Sequence, residues 1–326
     1  MTEITLIEAV TQALAYELDH DENVLVFGED VGKNGGVFRA TDGLQARFGE
    51  DRVMDSPLAE SLIAGMSVGM ASQGLKPVAE FQFMGFIYPG FNQIINHIAR
   101  LRNRTRGRLT CPLVMRAPFG GGIRAPEHHS ESTEALFAHI PGMKVVIPSS
   151  PARAYGLLLA AIRDPDPVLF LEPKRIYRLV KQDVPDNGIA IPMGQSFILR
   201  EGSDITLVSW GASMTETLKA AEQLATQGIN AEVIDVATIK PLDMDTIQAS
   251  VEKTGRCVII HEAARTCGVG AEIAATLAER SLLSLFAPIQ RVTGYDTVMP
   301  YFRLEKHYLP SVARIVKTVK QTMEFA

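Results

Sequence analysis

Short apolar runs alternate with amphipathic stretches along most of the chain. Residues 5–18, TLIEAVTQALAYEL, place apolar side chains at helical spacing and predict a helix. The run NVLVFG at 23–28 predicts a buried strand. Further strands are predicted at 52–55, 78–81, 113–116, 144–147 and 168–171. Helices are predicted at 57–72, near 90–103, at 133–139 and at 151–163. Strands alternating with helices predict an α/β fold with a mostly parallel sheet covered on both faces.

The alternation pauses at 172–193, where Pro173, Pro185, Asn187, Gly188 and Pro192 punctuate a polar stretch that reads as a linker. It then resumes, with strands predicted at 204–210, 231–236 and 256–261 and helices at 215–226, 246–253 and 270–283. Two α/β domains are expected, 1–185 and 193–326, with no short repeat and no low-complexity tract.

A length of 326 residues suits two domains, and 46% hydrophobic residues supply packed cores for both. The formal net charge of -5 argues against a dedicated nucleic-acid binder. The apolar run at 157–162 is far shorter than the ~20 residues of a membrane span. The start, MTEITLIEAV, carries no basic segment before its apolar residues, so no signal peptide is expected. Cys111, Cys257 and Cys267 form neither a disulfide framework nor a zinc spacing, and a reducing cytoplasm is the expected home.

Several segments carry candidate chemistry. In Asp55-Ser56-Pro57-Leu58-Ala59-Glu60, helix-start chemistry accounts for the residue types: Ser56 or Asp55 caps, Pro57 enters the first turn, and Glu60 lies near the positive end of the dipole. A carboxylate at the carboxyl edge of a parallel sheet is also where α/β proteins keep ligands. FGGGIRAPEHHSES at 119–132 combines three glycines with His128 and His129, which fits acid–base use on a lid better than metal binding. Phe81, Phe83, Phe86 and Tyr88 are too many aromatics for one core, so one is expected to serve a planar ring. The five arginines from Arg100 to Arg108 read as a solvated or subunit-interface segment. Gly268 and Gly270 make only an incomplete dinucleotide fingerprint, and close helix–strand packing explains them.

Taken in order, SPLAES at 56–61, EFQF at 80–83, RAPFGGG at 116–122, HSES at 129–132, PGMKVVIPSSP at 141–151, AIRDPDPVLFLEPKRIYR at 161–178, EVIDVATIKPLD at 232–243 and GYDT at 294–297 resemble one family. It is the β subunit of the heterotetrameric, thiamine-diphosphate-dependent 2-oxo acid dehydrogenases, and the resemblance covers nearly the whole chain. It implies a transketolase-like pyrimidine-binding domain followed by a transketolase C-terminal domain. It also implies an α subunit in an α2β2 heterotetramer, which holds the diphosphate and magnesium through a GDG…NN motif. This chain has no GDG triplet.

By position, the resemblance makes Glu60 the cofactor-activating glutamate, hydrogen-bonded to the pyrimidine N1′. Phe86 matches the aromatic that stacks on the pyrimidine, and Gln82 lines the same pocket. His129 matches the histidine that assists acyl transfer to the lipoyl arm of an acyltransferase core. A structural potassium ion is implied at Leu113, Ala161, Ile162, Asp164 and Asp166, mostly through backbone carbonyls. Pyruvate is the first substrate expected, ahead of branched-chain 2-oxo acids and acetoin. From another class, a non-catalytic scaffold subunit and a nicotinamide-dependent dehydrogenase using Gly268 and Gly270 are the alternatives.

Overall fold

The computed structural model describes residues 3–325. The chain divides into two compact units: residues 3–119 with 136–193, and residues 120–135 with 194–325. Among the described residues no helix is long and apolar enough to cross a membrane.

In the first unit the parallel strands lie in the spatial order Lys144–Val146, Val168–Pro173, Val114–Phe119, Lys76–Glu80, Val24–Gly28 and Val53–Asp55. Their interiors are buried on both faces, as expected of strands written as continuous apolar runs. Val24–Gly28 is first in sequence among these and has Val53–Asp55 on one side and Lys76–Glu80 on the other. The winding therefore reverses beside Val24–Gly28, and a doubly wound sheet opens its ligand crevice at such a point, outside the carboxyl ends of the strands.

The helices over this sheet begin as local chemistry dictates. Leu6–His20 opens on a capping box, in which Thr5 accepts from the Glu8 backbone while the Glu8 carboxylate reaches back to the Thr5 N–H at 2.7 Å. Its buried stripe is Leu6, Val10, Leu14 and Leu18. Pro151–Arg163 has Ser150 as N-cap and Pro151 in its first turn.

Two helix predictions change. The helix expected from residue 57 begins at Glu60. Pro57 lies outside it, Asp55 turns instead to the N–H groups of Gly32 and Lys33, and Ser56 bonds the Pro57 carbonyl. The helix expected near 90–103 is broken into Phe91–Gln93, a π turn over Ile94–Ile98, and Leu101–Arg104.

The second unit holds a sheet in the order Gln290–Val292, Cys257–Ile260, Ile205–Ser209, Ala231–Asp235 and Phe197–Arg200. It is parallel except for the last strand, which runs antiparallel at the edge. Helices Ser213–Ala225 and Val312–Met323 pack against it around Leu207, Val233, Ile260, Ile315 and Val319.

Candidate functional site

The crevice beside Val24–Gly28 collects polar side chains from three elements. Glu29 and Asp30 follow that strand directly. Gln82 lies just past Lys76–Glu80, and its amide donates to Asp30 at 3.4 Å. Glu60 is the first residue of helix Glu60–Ser72 and is half-buried. Burial raises the Glu29 carboxyl above its ordinary value, and the charges of Asp30 and Glu60 raise it further. Glu60 thus belongs to one electrostatic cluster with Glu29 and Asp30.

Phe86 lies on the 3₁₀ turn Met84–Gly90, against the same helix. Gly90 permits the approach, because a Cβ there would come 2.9 Å from the Glu60 carbonyl oxygen. Phe81, Phe83 and Ile87 are core residues, whereas Phe86 is only half-buried and meets Phe83 edge-on at 5.4 Å between centroids. A carboxylate, an amide and an aromatic face at a crevice suit a planar, nitrogen-bearing heterocycle.

Under this site lies a buried ionic cluster. Arg116 grips Glu172 with both ends of its guanidinium, at 2.7 and 2.9 Å, and bonds Glu80 with its remaining nitrogen. Tyr177 donates to Glu172 at 2.6 Å. The three charged residues come from three adjacent strands, so the cluster ties their carboxyl ends together.

The segment 120–135 folds with the second unit. It takes a 3₁₀ turn at Glu127–His129, with His129 half-buried and His128 exposed, 3.9 Å from Glu131. The glycines serve close approach. A Cβ on Gly120, whose φ is +79°, would come 2.6 Å from the Glu262 carboxylate. Glu262 accepts from the N–H of Gly121, and Glu305 from those of Gly122 and Arg124. At the other end of the segment the Ser132 hydroxyl donates to Glu262 at 3.1 Å, so the lid expected from three glycines is a loop pinned at both ends.

Beside it, Trp210 donates to Glu134 at 3.4 Å and stacks on His261 at 5.0 Å between centroids. Burial, and then the Arg291 charge, hold the His261 imidazole down at about 3. A Cβ on Gly270 would come 2.8 Å from His261 Nε2, so this glycine makes room for a neutral imidazole, in keeping with the packing explanation.

Burial pushes the Glu134 carboxyl up to about 7, with the Glu262 charge adding to the rise. The folded protein then holds this proton more tightly than the unfolded chain, whose carboxyl titrates near 4.5. The stabilising contribution is therefore whole below about pH 4.5 and is lost as pH rises to about 7. Glu134→Gln keeps an oxygen for Trp210 and removes the titration. Its melting temperature relative to wild type is expected to climb across that window and to be flat below it.

The residues of the implied potassium site are partly committed. The Asp164 carboxylate holds Lys144 at 2.6 Å, and Asp166 pairs with Arg102 at 2.9 Å. The carbonyls of Leu113 and Ala161 each accept one N–H, from Val168 and Asp164, which leaves each a second lone pair. Oxygen donors of this kind suit an alkali cation. Of the neighbouring arginines, Arg104 also contacts His97 at 3.3 Å, and Arg100, Arg106 and Arg108 are exposed. Among the described residues, no group of three or more His, Cys, Asp and Glu is placed to hold a metal ion.

Arg116, Glu172, Glu262 and Glu305 were not singled out from sequence. A charge inside an apolar strand run, as in VMRAPF or VLFLEP, is the signal that marks the first two.

Fold and crevice define a two-unit α/β protein of the transketolase type. The model of the transketolase pyrimidine-binding domain matches residues 2–180, and that of the transketolase C-terminal domain matches residues 194–315. A solved structure described as a split-gene transketolase, inactive β4 tetramer, matches with a TM-score of 0.82 at 25% identity, covering 99% of each chain. The pyruvate dehydrogenase E1 component subunit beta of Bacillus subtilis (strain 168) is 50% identical over 325 residues, covering 100% of both chains. Its counterparts in Staphylococcus epidermidis and Staphylococcus aureus (strain Mu50) are 50% and 49% identical over the same span. The chain belongs to the family of E1-component β subunits of pyruvate dehydrogenase, within the transketolase-type proteins.

Proposed function

We propose that this chain is the catalytic β subunit of a pyruvate dehydrogenase E1 assembly. It works with an α subunit, in an α2β2 heterotetramer, to decarboxylate pyruvate and pass the acetyl group to lipoyl-lysine of an acyltransferase core. The observation that carries the reading is the grouping of Glu60, Gln82 and Phe86 around the switch-point crevice, in a chain related over its full length to such subunits.

Thiamine diphosphate supplies the carbon nucleophile and the electron sink for loss of carbon dioxide. With the cofactor bound, Glu60 would hold and exchange a proton at the pyrimidine N1′. Phe86 offers its face to the pyrimidine, and Gln82 orients it with Asp30. Magnesium and the diphosphate fall to the α subunit. The carbonyls of Leu113 and Ala161, with Ile162, Asp164 and Asp166, would hold a potassium ion near the end of helix Pro151–Arg163. The bacterial cytoplasm is the compartment proposed for the assembly, in keeping with the bacterial source of the similar subunits.

His129 assists acyl transfer to the lipoyl arm rather than the loss of carbon dioxide. His129→Ala is therefore expected to lose roughly 10²-fold or more in lipoyl acylation, the scale of a positioned acid–base group. Decarboxylation read with an artificial electron acceptor should fall far less. Equal losses in the two assays contradict this role.

The reading as a whole is tested by co-expressing the chain with its α-type subunit, adding thiamine diphosphate and magnesium, and following carbon dioxide from pyruvate and from 3-methyl-2-oxobutanoate. Preference for pyruvate is expected. Preference for the branched acid moves the chain to the branched-chain enzymes. No release from either, in a tetramer that binds cofactor, points to acetoin cleavage or a scaffold role.

A further inference from the structure

Glu262 follows strand Cys257–Ile260 by two residues and is buried. Its Oε1 accepts from the backbone N–H of Gly121 and from the Ser132 hydroxyl at 3.1 Å. Those donors stand at the two ends of the excursion that carries His129. The neck is closed by the Gly120 N–H donating to the Glu131 carbonyl at 2.9 Å. A carboxylate this buried needs strong donors, and bonds from N–H and O–H to an ionised oxygen are among the shorter and stronger ones. One carboxylate oxygen therefore draws both ends of the loop together. Glu305 secures the glycine side at Gly122 and Arg124.

We propose that Glu262 is a positioning residue for His129: it fixes the loop so that the imidazole is presented for acyl transfer, and it touches neither cofactor nor substrate. The proposal rests on the acyl-transfer reading of His129 given above. Displacement by about 1 Å costs a reaction roughly 10²-fold, so a slack loop should behave much like a missing imidazole.

The test uses the reassembled enzyme with thiamine diphosphate and magnesium, and two assays: lipoyl acylation, and decarboxylation with an artificial electron acceptor. Glu262→Ala is expected to lose roughly 10²-fold in acylation and far less in decarboxylation. Glu262→Gln, whose amide oxygen still accepts both bonds, is expected to keep most of the acylation. In a His129→Ala background, Glu262→Ala should cost nothing further, because a residue acting through another is not additive with it. Trypsin cleavage after Arg124 should be faster in Glu262→Ala than in wild type or Glu262→Gln, a readout independent of activity.

Equal losses in both assays, losses that multiply in the double variant, or a Gln variant as impaired as Ala would each overturn the proposal. If Glu262→Ala fails to assemble, Ser132→Ala removes one donor alone. It should show the same split between assays at smaller size, and wild-type acylation in it would overturn the proposal. A wild-type enzyme without thiamine-diphosphate-dependent decarboxylation would sink the functional reading itself. An active wild type with unselective Glu262 variants would sink only the positioning role.

Discussion

Glu60→Gln in the assembled enzyme is expected to cut decarboxylation by roughly 10²–10⁴-fold, the range typical of a positioned acid–base group. At 1.36 kcal/mol per decade this is about 3–5 kcal/mol of barrier. Glutamine has nearly the shape of glutamate and still forms a hydrogen bond, but its amide cannot exchange a proton with the pyrimidine N1′. The loss should therefore fall on kcat, with cofactor binding largely kept. The fold should be unaffected, since Glu60 is half-buried at the first position of its helix and makes no side-chain cap there. Steady-state decarboxylation together with cofactor titration separates the two effects. Wild-type turnover in the variant would remove Glu60 from its role.

The second large effect is structural. Arg116→Leu leaves the carboxylates of Glu80 and Glu172 buried without their cation. Breaking a buried ion pair from one side costs roughly 3–5 kcal/mol, whereas replacing all partners by apolar side chains of similar volume costs far less. The triple variant with Leu at 80, 116 and 172 should accordingly be more stable than Arg116→Leu alone.

The pH dependence follows from Glu80. Burial already raises its carboxyl, Arg116 pulls it back, and the charge on Glu172 raises it again. Without Arg116 the native carboxyl rises further above its unfolded value. Protonation then favours the folded state at low pH, and that contribution is lost as pH rises. The deficit of Arg116→Leu should be small in mild acid and large at pH 8. Urea unfolding at the two pH values measures it, and a deficit independent of pH contradicts the account.

Much of this fold was legible because strands buried on both faces are written as unbroken apolar runs. Val24–Gly28, Ile205–Ser209 and Ala231–Asp235 fall within a residue or two of the predicted positions. Two short edge strands of the second unit were not. Gln290–Val292 and the antiparallel Phe197–Arg200 have no periodicity to distinguish them from loop, and pairing with their neighbours makes them strands. The helix starts at Glu60 rather than at residue 57 because Asp55 finds distant N–H groups at Gly32 and Lys33 instead of capping locally.

For the site, Glu60, Gln82 and Phe86 are ordinary residue types, and composition alone gave them no distinction. The switch in strand order, which only the pairing reveals, is what brings two of them to one crevice. Likewise, three consecutive glycines signal either freedom or close approach. The choice was made by Glu262 and Glu305, which lie more than a hundred residues further along the chain.

Decarboxylation by this mechanism depends on activation of the cofactor by Glu60. That activation is tested most directly by proton–deuterium exchange at C2 of thiamine diphosphate bound to the reassembled enzyme, compared between wild type and Glu60→Gln. Rapid exchange in wild type and strongly slowed exchange in the variant, with cofactor bound in both, is the predicted result. Equal exchange rates in the two bound enzymes would contradict the claim.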